Sequence, residues 1–271
     1  MLLSIKNSYS EIRSIIHITF VFFFALFSLP ALGKHATTLD LSPDKAISFI
    51  LYYYLESEYE KSKDIAEQVI EKYDGDDAIL AKMMLLASHY GSQAYAEATK
   101  LHHAINQFVS PICEHPTVLK SWENETVEFY CYLYYTSIGL SYFKLKNYDS
   151  TIETFVSKLP VLEKYASFQV LIYQALFSSY LNTQQYSSAE KYLLLLKTHE
   201  DVASGKFSVE KVYYNYACLE SLRGNQQRAS RWLHKVTSND ILTNVNNDDD
   251  LVGFRKSHYF QEIKTRLENH E

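Results

Sequence analysis

The 271-residue chain predicts an all-α protein, a superhelical stack of about five antiparallel helical hairpins, or α-solenoid. Three observations carry that prediction. From Tyr135 to Pro160, apolar residues recur three and four apart on either side of a turn at Lys146-Asn147, a period that suits helices and not strands. Tyrosines mark the same place in further copies: Tyr59 and Tyr95 are 36 residues apart, and Tyr148 and Tyr186 are 38 apart. The chain also carries 23 tyrosines and only 5 prolines. Tyrosine suits a thin helical stack, because its ring packs inside while its hydroxyl reaches water.

Taken in order, the first 33 residues are a different material. Lys6 and Arg13 precede an apolar run from Ile15 to Leu29, and Ala31-Leu32-Gly33 offers small residues at a cleavage point. Charged start, apolar core and small-residue exit are the parts of a secretory signal, so residues 1–33 are expected to direct export to a periplasm or secreted space. The alternative is an inner-membrane anchor at residues 15–29, although that run falls short of the roughly twenty residues usual for spanning. Membrane contact is expected only if the segment stays uncleaved. Lys34 follows the proposed cut and excludes a lipidated cysteine there. Residues 34–41 read as a flexible lead.

Ser42-Pro43-Asp44 opens the repeat domain, expected over residues 42–267. Ser can cap a helix, Pro is tolerated at its first position, and Asp suits its positive end. Ile47, Ile50 and Leu51 form the first apolar stripe, and Tyr59, Ala66 and Val69-Ile70 form its partner. Gly75-Asp76-Asp77 ends this hairpin. The second runs from about Ala78 to Phe108, with Leu85, Leu86 and His89 facing Tyr95, Ala98 and His102.

Pro111 and Pro116 then break the regularity. The 53 residues from Tyr95 to Tyr148 leave room for an insert near residues 110–124, holding one extra short helix docked by Trp122. The central hairpin starts near Glu125. A fourth spans Phe168 to Lys197, with Phe177 standing where Gly139 stands in the central copy. The fifth is VYYNYACLESLRGNQQRASRWLHKV, with Tyr213, Tyr216 and Ala217 before a Gly224-Asn225 turn and Ala229 after it. Residues 247–267 are expected to cap the stack, laying Leu251, Phe254, Phe260 and Ile263 over an otherwise exposed apolar face.

The stretch Tyr135, Ile138, Gly139, Tyr142, Tyr148 and Phe155 resembles the tetratricopeptide repeat, a ladder of aromatic, Leu-Gly, Tyr, turn, aromatic, small residue and Phe. Thr151 and Lys158 stand where that family usually carries alanines, and Pro160 arrives about three residues early. The resemblance covers roughly residues 43–267 and implies a concave surface that binds a protein or peptide. In the phase of the repeat, Tyr54, Tyr90, Thr136, Lys144, Gln174, Asn182 and Tyr214 are expected to line that groove. Some members grip a terminal carboxylate with a basic clamp, but Lys144 is the one basic residue among these seven.

The remaining chemistry is sparse. A formal charge of -6 and the lack of a long basic run argue against nucleic acid. No GxSxG, HExxH or phosphate-binding glycine loop occurs, so no catalytic residue and no cofactor are expected. Asp248-Asp249-Asp250 lacks the alternating oxygens, central Gly and closing Glu of a calcium loop, and reads as a solvated cluster that opens a helix. His89 and His102 fall on facing core positions of one hairpin, where they are expected to pack as a pair; zinc would need further ligands. Cys113 and Cys131 pair if the segment between them folds back; Cys218 reads as a buried, inert thiol. The expectation is a non-enzymatic scaffold that binds a protein or peptide. A structural, self-associating repeat protein and an accessory domain of an envelope enzyme complex are the alternatives.

Overall fold

A computed structural model describes residues 41–119 and 122–268, the side chains of 166–168 excepted. The expectations for the signal or anchor at residues 1–33, and for residues 34–40 of the lead, lie outside the described residues. Among the described residues every regular element is helical and none is a strand. No helix among them is long and apolar enough to cross a membrane. The chain forms two compact units, one ending at Ser167 and the other beginning at Phe168.

The first unit contains α1 (Pro43–Leu55), α2 (Tyr59–Lys72), α3 (Gly75–Gly91), α4 (Tyr95–Glu114), α5 (Asn124–Lys144) and α6 (Tyr148–Leu162). Each helix packs on the next, and α3 also packs on both α1 and α5. Leu41 is held at the start, where its carbonyl accepts a hydrogen bond from the Tyr73 hydroxyl on the end of α2. Ser42 occupies the N-cap position without a side-chain bond to the helix backbone. Its hydroxyl instead serves the Asp44 carboxylate, which that bond holds below its ordinary range.

The second unit holds α7 (Ala166–Asn182) from Phe168 onward, α8 (Tyr186–Thr198), the short α9 (Glu200–Ala203), α10 (Val209–Leu222) and α11 (Gln226–Leu233). The tail follows as α12 (Asn239–Leu242), two 3-10 turns (Thr243–Asn246 and Asp249–Leu251), α13 (Val252–Arg255) and α14 (Phe260–Glu268). Leu242, Val245, Leu251, Phe254 and Ile263 share one core with Ala217, Ala229 and Leu233 of the last hairpin, and Phe260 packs against it.

One turn geometry recurs in both units. Ser57, Gln93 and Lys146 in the first, and Gln184 and Gly224 in the second, all have left-handed backbone, with φ of 62°, 66°, 59°, 59° and 81°. The N–H of the following residue reaches back to close the preceding helix: Glu58 to Tyr53 O, Ala94 to His89 O, Asn147 to Tyr142 O, Gln185 to Tyr180 O and Asn225 to Glu220 O, all at 2.8–2.9 Å. This is the Schellman closure, and glycine is its natural residue because a Cβ is strained there. Only Gly224 meets that preference. Lys146→Gly and Gln184→Gly are therefore each expected to raise stability by about 0.5–1 kcal/mol, read as an upward shift of the urea midpoint.

The second helix of each pair starts two residues after that position, at Tyr59, Tyr95, Tyr148, Tyr186 and Gln226. Three residues further on, Ser62, Ala98, Thr151, Ala189 and Ala229 are all fully buried. A small side chain lets the two helices of a pair close up. Serine serves at the first copy because its hydroxyl is satisfied by Ile50 O at 2.9 Å and Ser88 Oγ at 2.8 Å.

Gly139 makes the close approach its place in the repeat implies. A Cβ there would lie 2.4 Å from the ring of Phe155, which is fully buried. Gly91 has the same relation to Tyr59, but that ring is partly exposed and has room to yield. Gly139→Ala is expected to cost about 2 kcal/mol, and Gly91→Ala clearly less, by chemical denaturation. Equal losses would remove the distinction between a trapped and a yielding ring. In the second unit Phe177 and Leu193 occupy the positions of Gly139 and Phe155, so the aromatic ring is now on the first helix; both are fully buried.

The extra short helix of the insert is a single 3-10 turn. The rest of the insert's length is absorbed by α4 and α5, of 20 and 21 residues, with the turn at Pro116–Val118 between them. Pro111 and Pro160 lie inside α4 and α6 without ending them. Trp122 does dock the region: its Nε1–H donates to Asp77 Oδ1 at 3.0 Å and its ring meets Tyr130 edge-on.

Candidate functional site

The seven expected groove residues have unlike environments. In the first unit, Tyr54 is partly exposed with its ring 5.7 Å from Tyr59, and Tyr90 is buried with its ring 5.7 Å from Tyr95. These are equivalent contacts, each bridging the turn between two helices of a pair; Phe143 and Tyr148 repeat them in the central copy. Thr136 is buried, and its hydroxyl has no hydrogen-bond partner among the described residues. Lys144 is half-buried, which lowers the affinity of its ammonium for its proton. In the second unit, Gln174 is half-buried, and Asn182 is exposed with its amide donating to Ser178 O. Tyr214 is buried and its hydroxyl donates to Asp248 Oδ2 at 3.0 Å. Tyr90, Thr136 and Tyr214 are thus taken up in the packing of their units, and Tyr54, Lys144, Gln174 and Asn182 retain access to solvent.

The histidines of the first unit do not form the expected pair. His102 Nδ1 lies 2.6 Å from the Tyr134 hydroxyl on α5, and the buried Nδ1 of His89 has no hydrogen-bond partner. His103 Nε2 stands 3.5 Å from the Tyr142 hydroxyl. Burial, reinforced by the neighbouring His103, pushes His102 down to about 4, so its ring is neutral near pH 7. Histidine at this position departs from the apolar Ala66, Phe155, Leu193 and Leu233 of the other copies. Tyr134, fully buried on the facing helix, supplies the polar partner that makes this tolerable.

Cys113 and Cys131 are joined by a disulfide that ties the end of α4 to α5 across 18 residues of sequence. Pro116–Val118 and Trp122 lie in the loop that it closes. Lys158 reaches back from α6 to Ser110 Oγ and Glu114 Oε1 and lies over the Tyr135 ring.

The acidic run of the tail is less solvated than expected. Asp249 is exposed, but Asp248 and Asp250 are half-buried. Asp248 Oδ1 accepts the Asp250 N–H at 3.0 Å and so opens the 3-10 turn, as a capping carboxylate does. Its Oδ2 accepts from Tyr214 and lies 3.9 Å from Cys218 Sγ. Burial and the adjacent Asp248 push Asp250 up to about 6. The same two causes push the Cys218 thiol well above its ordinary value, so it keeps its proton. Arg255 donates to the carbonyls of Val245 and Asp248, fixing the loop. Potential ligand atoms of Cys218, Asp248 and Asp250 all lie within 4.8 Å of one another.

Sequence reasoning missed this meeting because Cys218 and Asp248 are 30 residues apart. Their only sequence signal was an apolar tail able to fold back on the last hairpin. Comparison with protein-family models and with curated proteins finds no match to this chain.

Proposed function

We propose that the chain is an exported, non-catalytic scaffold of the tetratricopeptide-like class, holding a protein or peptide partner against its repeats. The observation that carries this reading is the fivefold return of one turn, one helix start and one buried small residue. Stacked pairs of this kind leave side chains of their first helices in rows, and such rows commonly bind extended partners. The Cys113–Cys131 bond supports export, because disulfides persist in oxidising compartments.

Tyr54, Lys144 and Asn182 are three of the expected groove residues that keep access to solvent. Photocrosslinking probes at these three positions in intact cells test the idea, with Val156 on α6, which is 43% exposed, as the control. One recurring partner captured from all three supports the scaffold reading. Adducts only to other copies of the chain replace it with a self-associating structural role. Capture no greater than at Val156 overturns the groove.

A further inference from the structure

We propose that Cys218, Asp248 and Asp250 form a binding site for a divalent cation of the zinc class, which ties the tail to the last hairpin. None of the three ligands is an expected groove residue, and the site does not depend on the groove binding a partner. The three side chains converge from two elements: Cys218 comes from α10, and the two aspartates bracket the start of the 3-10 turn Asp249–Leu251. Among the described residues they are the one such group of three.

The thiol is the observation that separates this cluster from an ordinary acidic turn. Cys218 is sunk in the apolar core beside Ala217 and Leu251, yet its sulfur faces the carboxylates. The thiol donates to Asp248 Oδ2 at 3.9 Å, a long and weak hydrogen bond that a metal–sulfur bond can replace at little cost. Asp250 adds a second carboxylate to the same half-buried space. The cation of that loop, Arg255, bonds backbone carbonyls. Two carboxylates and a thiol therefore share a low-dielectric corner, an arrangement that a positive ion relieves.

The donor set selects the ion. A thiolate is too soft for calcium or magnesium, whereas one sulfur, two carboxylate oxygens and a water complete a tetrahedral zinc shell. Ligand atoms within 4.8 Å need to close by on the order of 1 Å to meet zinc–sulfur and zinc–oxygen bond lengths. Tyr214 assists from outside by donating to Asp248 Oδ2, which orients that carboxylate. Binding displaces the Cys218 proton to solvent, so affinity rises with pH.

Chelator-stripped, tag-free protein titrated with Co2+ tests the site directly. Cys113 and Cys131 are bonded, so Cys218 is the one thiol able to give a thiolate-to-cobalt absorption band. The expected result is that band, saturating at one equivalent, with Zn2+ abolishing it by displacement and raising the Tm. Cys218→Ser should abolish the band, and Asp250→Asn should weaken Co2+ binding about tenfold or more. No band in the full chain, or one that survives Cys218→Ser, overturns the site. If circular dichroism shows that Cys218→Ser does not fold, Asp248→Asn and Asp250→Asn decide. Unchanged affinity in both overturns the proposal.

Discussion

Replacing both Cys113 and Cys131 by alanine is expected to lower the stability of the first unit by about 3 kcal/mol. The bond closes a loop with a sequence separation of 18, and a loop of that length restricts the unfolded chain by about that amount. Both sulfurs are buried, so the intact bond should also resist mild reductant until the unit opens. Urea unfolding followed by Trp122 fluorescence in a Trp232→Phe background isolates the first unit, because these are the two tryptophans of the chain. A loss below about 0.5 kcal/mol would mean that the long α4 and α5 hold the insert without the bond.

The second large effect is expected on acidification. An unfolded histidine takes up a proton near its ordinary value of 6.5, whereas the folded His102 resists until about 4. Its contribution is therefore fully present above pH 6.5 and is lost as pH falls through that window, amounting to about 3 kcal/mol at full span. The groups facing it are His103 on its own helix and Tyr134 and Tyr142 on α5, and none of them is an acid able to stabilise a cationic ring. His89 is shifted the same way by burial. His102→Leu, which supplies the residue type found at Leu193 and Leu233, should flatten the loss between pH 6.5 and 4. Persistence of the full slope in that variant would assign it to other groups.

The second unit has the opposite tendency. Asp250 is raised to about 6, so its burial costs stability as pH rises from the ordinary carboxylate range through 6 and is relieved on acidification. The pH profile is for this reason read separately in each unit, through Trp122 and Trp232.

Much of the helical plan was legible before any coordinates. Tyr59, Tyr95, Tyr148 and Tyr186 each open a helix, because the turn before them and the apolar period after them are local features of sequence. Gly139 under Phe155 was legible for the same reason, since the two belong to one hairpin with a fixed turn. Ser62 was overlooked because a serine does not look like a core residue until Ile50 O and Ser88 Oγ are seen beside it.

The candidate sites were less legible. Periodicity assigns a residue to one face of its own helix, but what covers that face comes from elsewhere in the chain. Tyr214 shares the sequence phase of Gln174, yet it is buried because the tail folds back and brings Asp248 to its hydroxyl. His102 was matched with His89 on hairpin geometry, whereas Tyr134 on the following helix reached it first. By itself the sequence determined the main helices, their turns and, Ser62 excepted, the small residues that let each pair close. Only the tertiary structure decided that Cys113 meets Cys131 and that Cys218 meets Asp248 and Asp250. Those meetings depend on packing between segments whose separation no local period encodes.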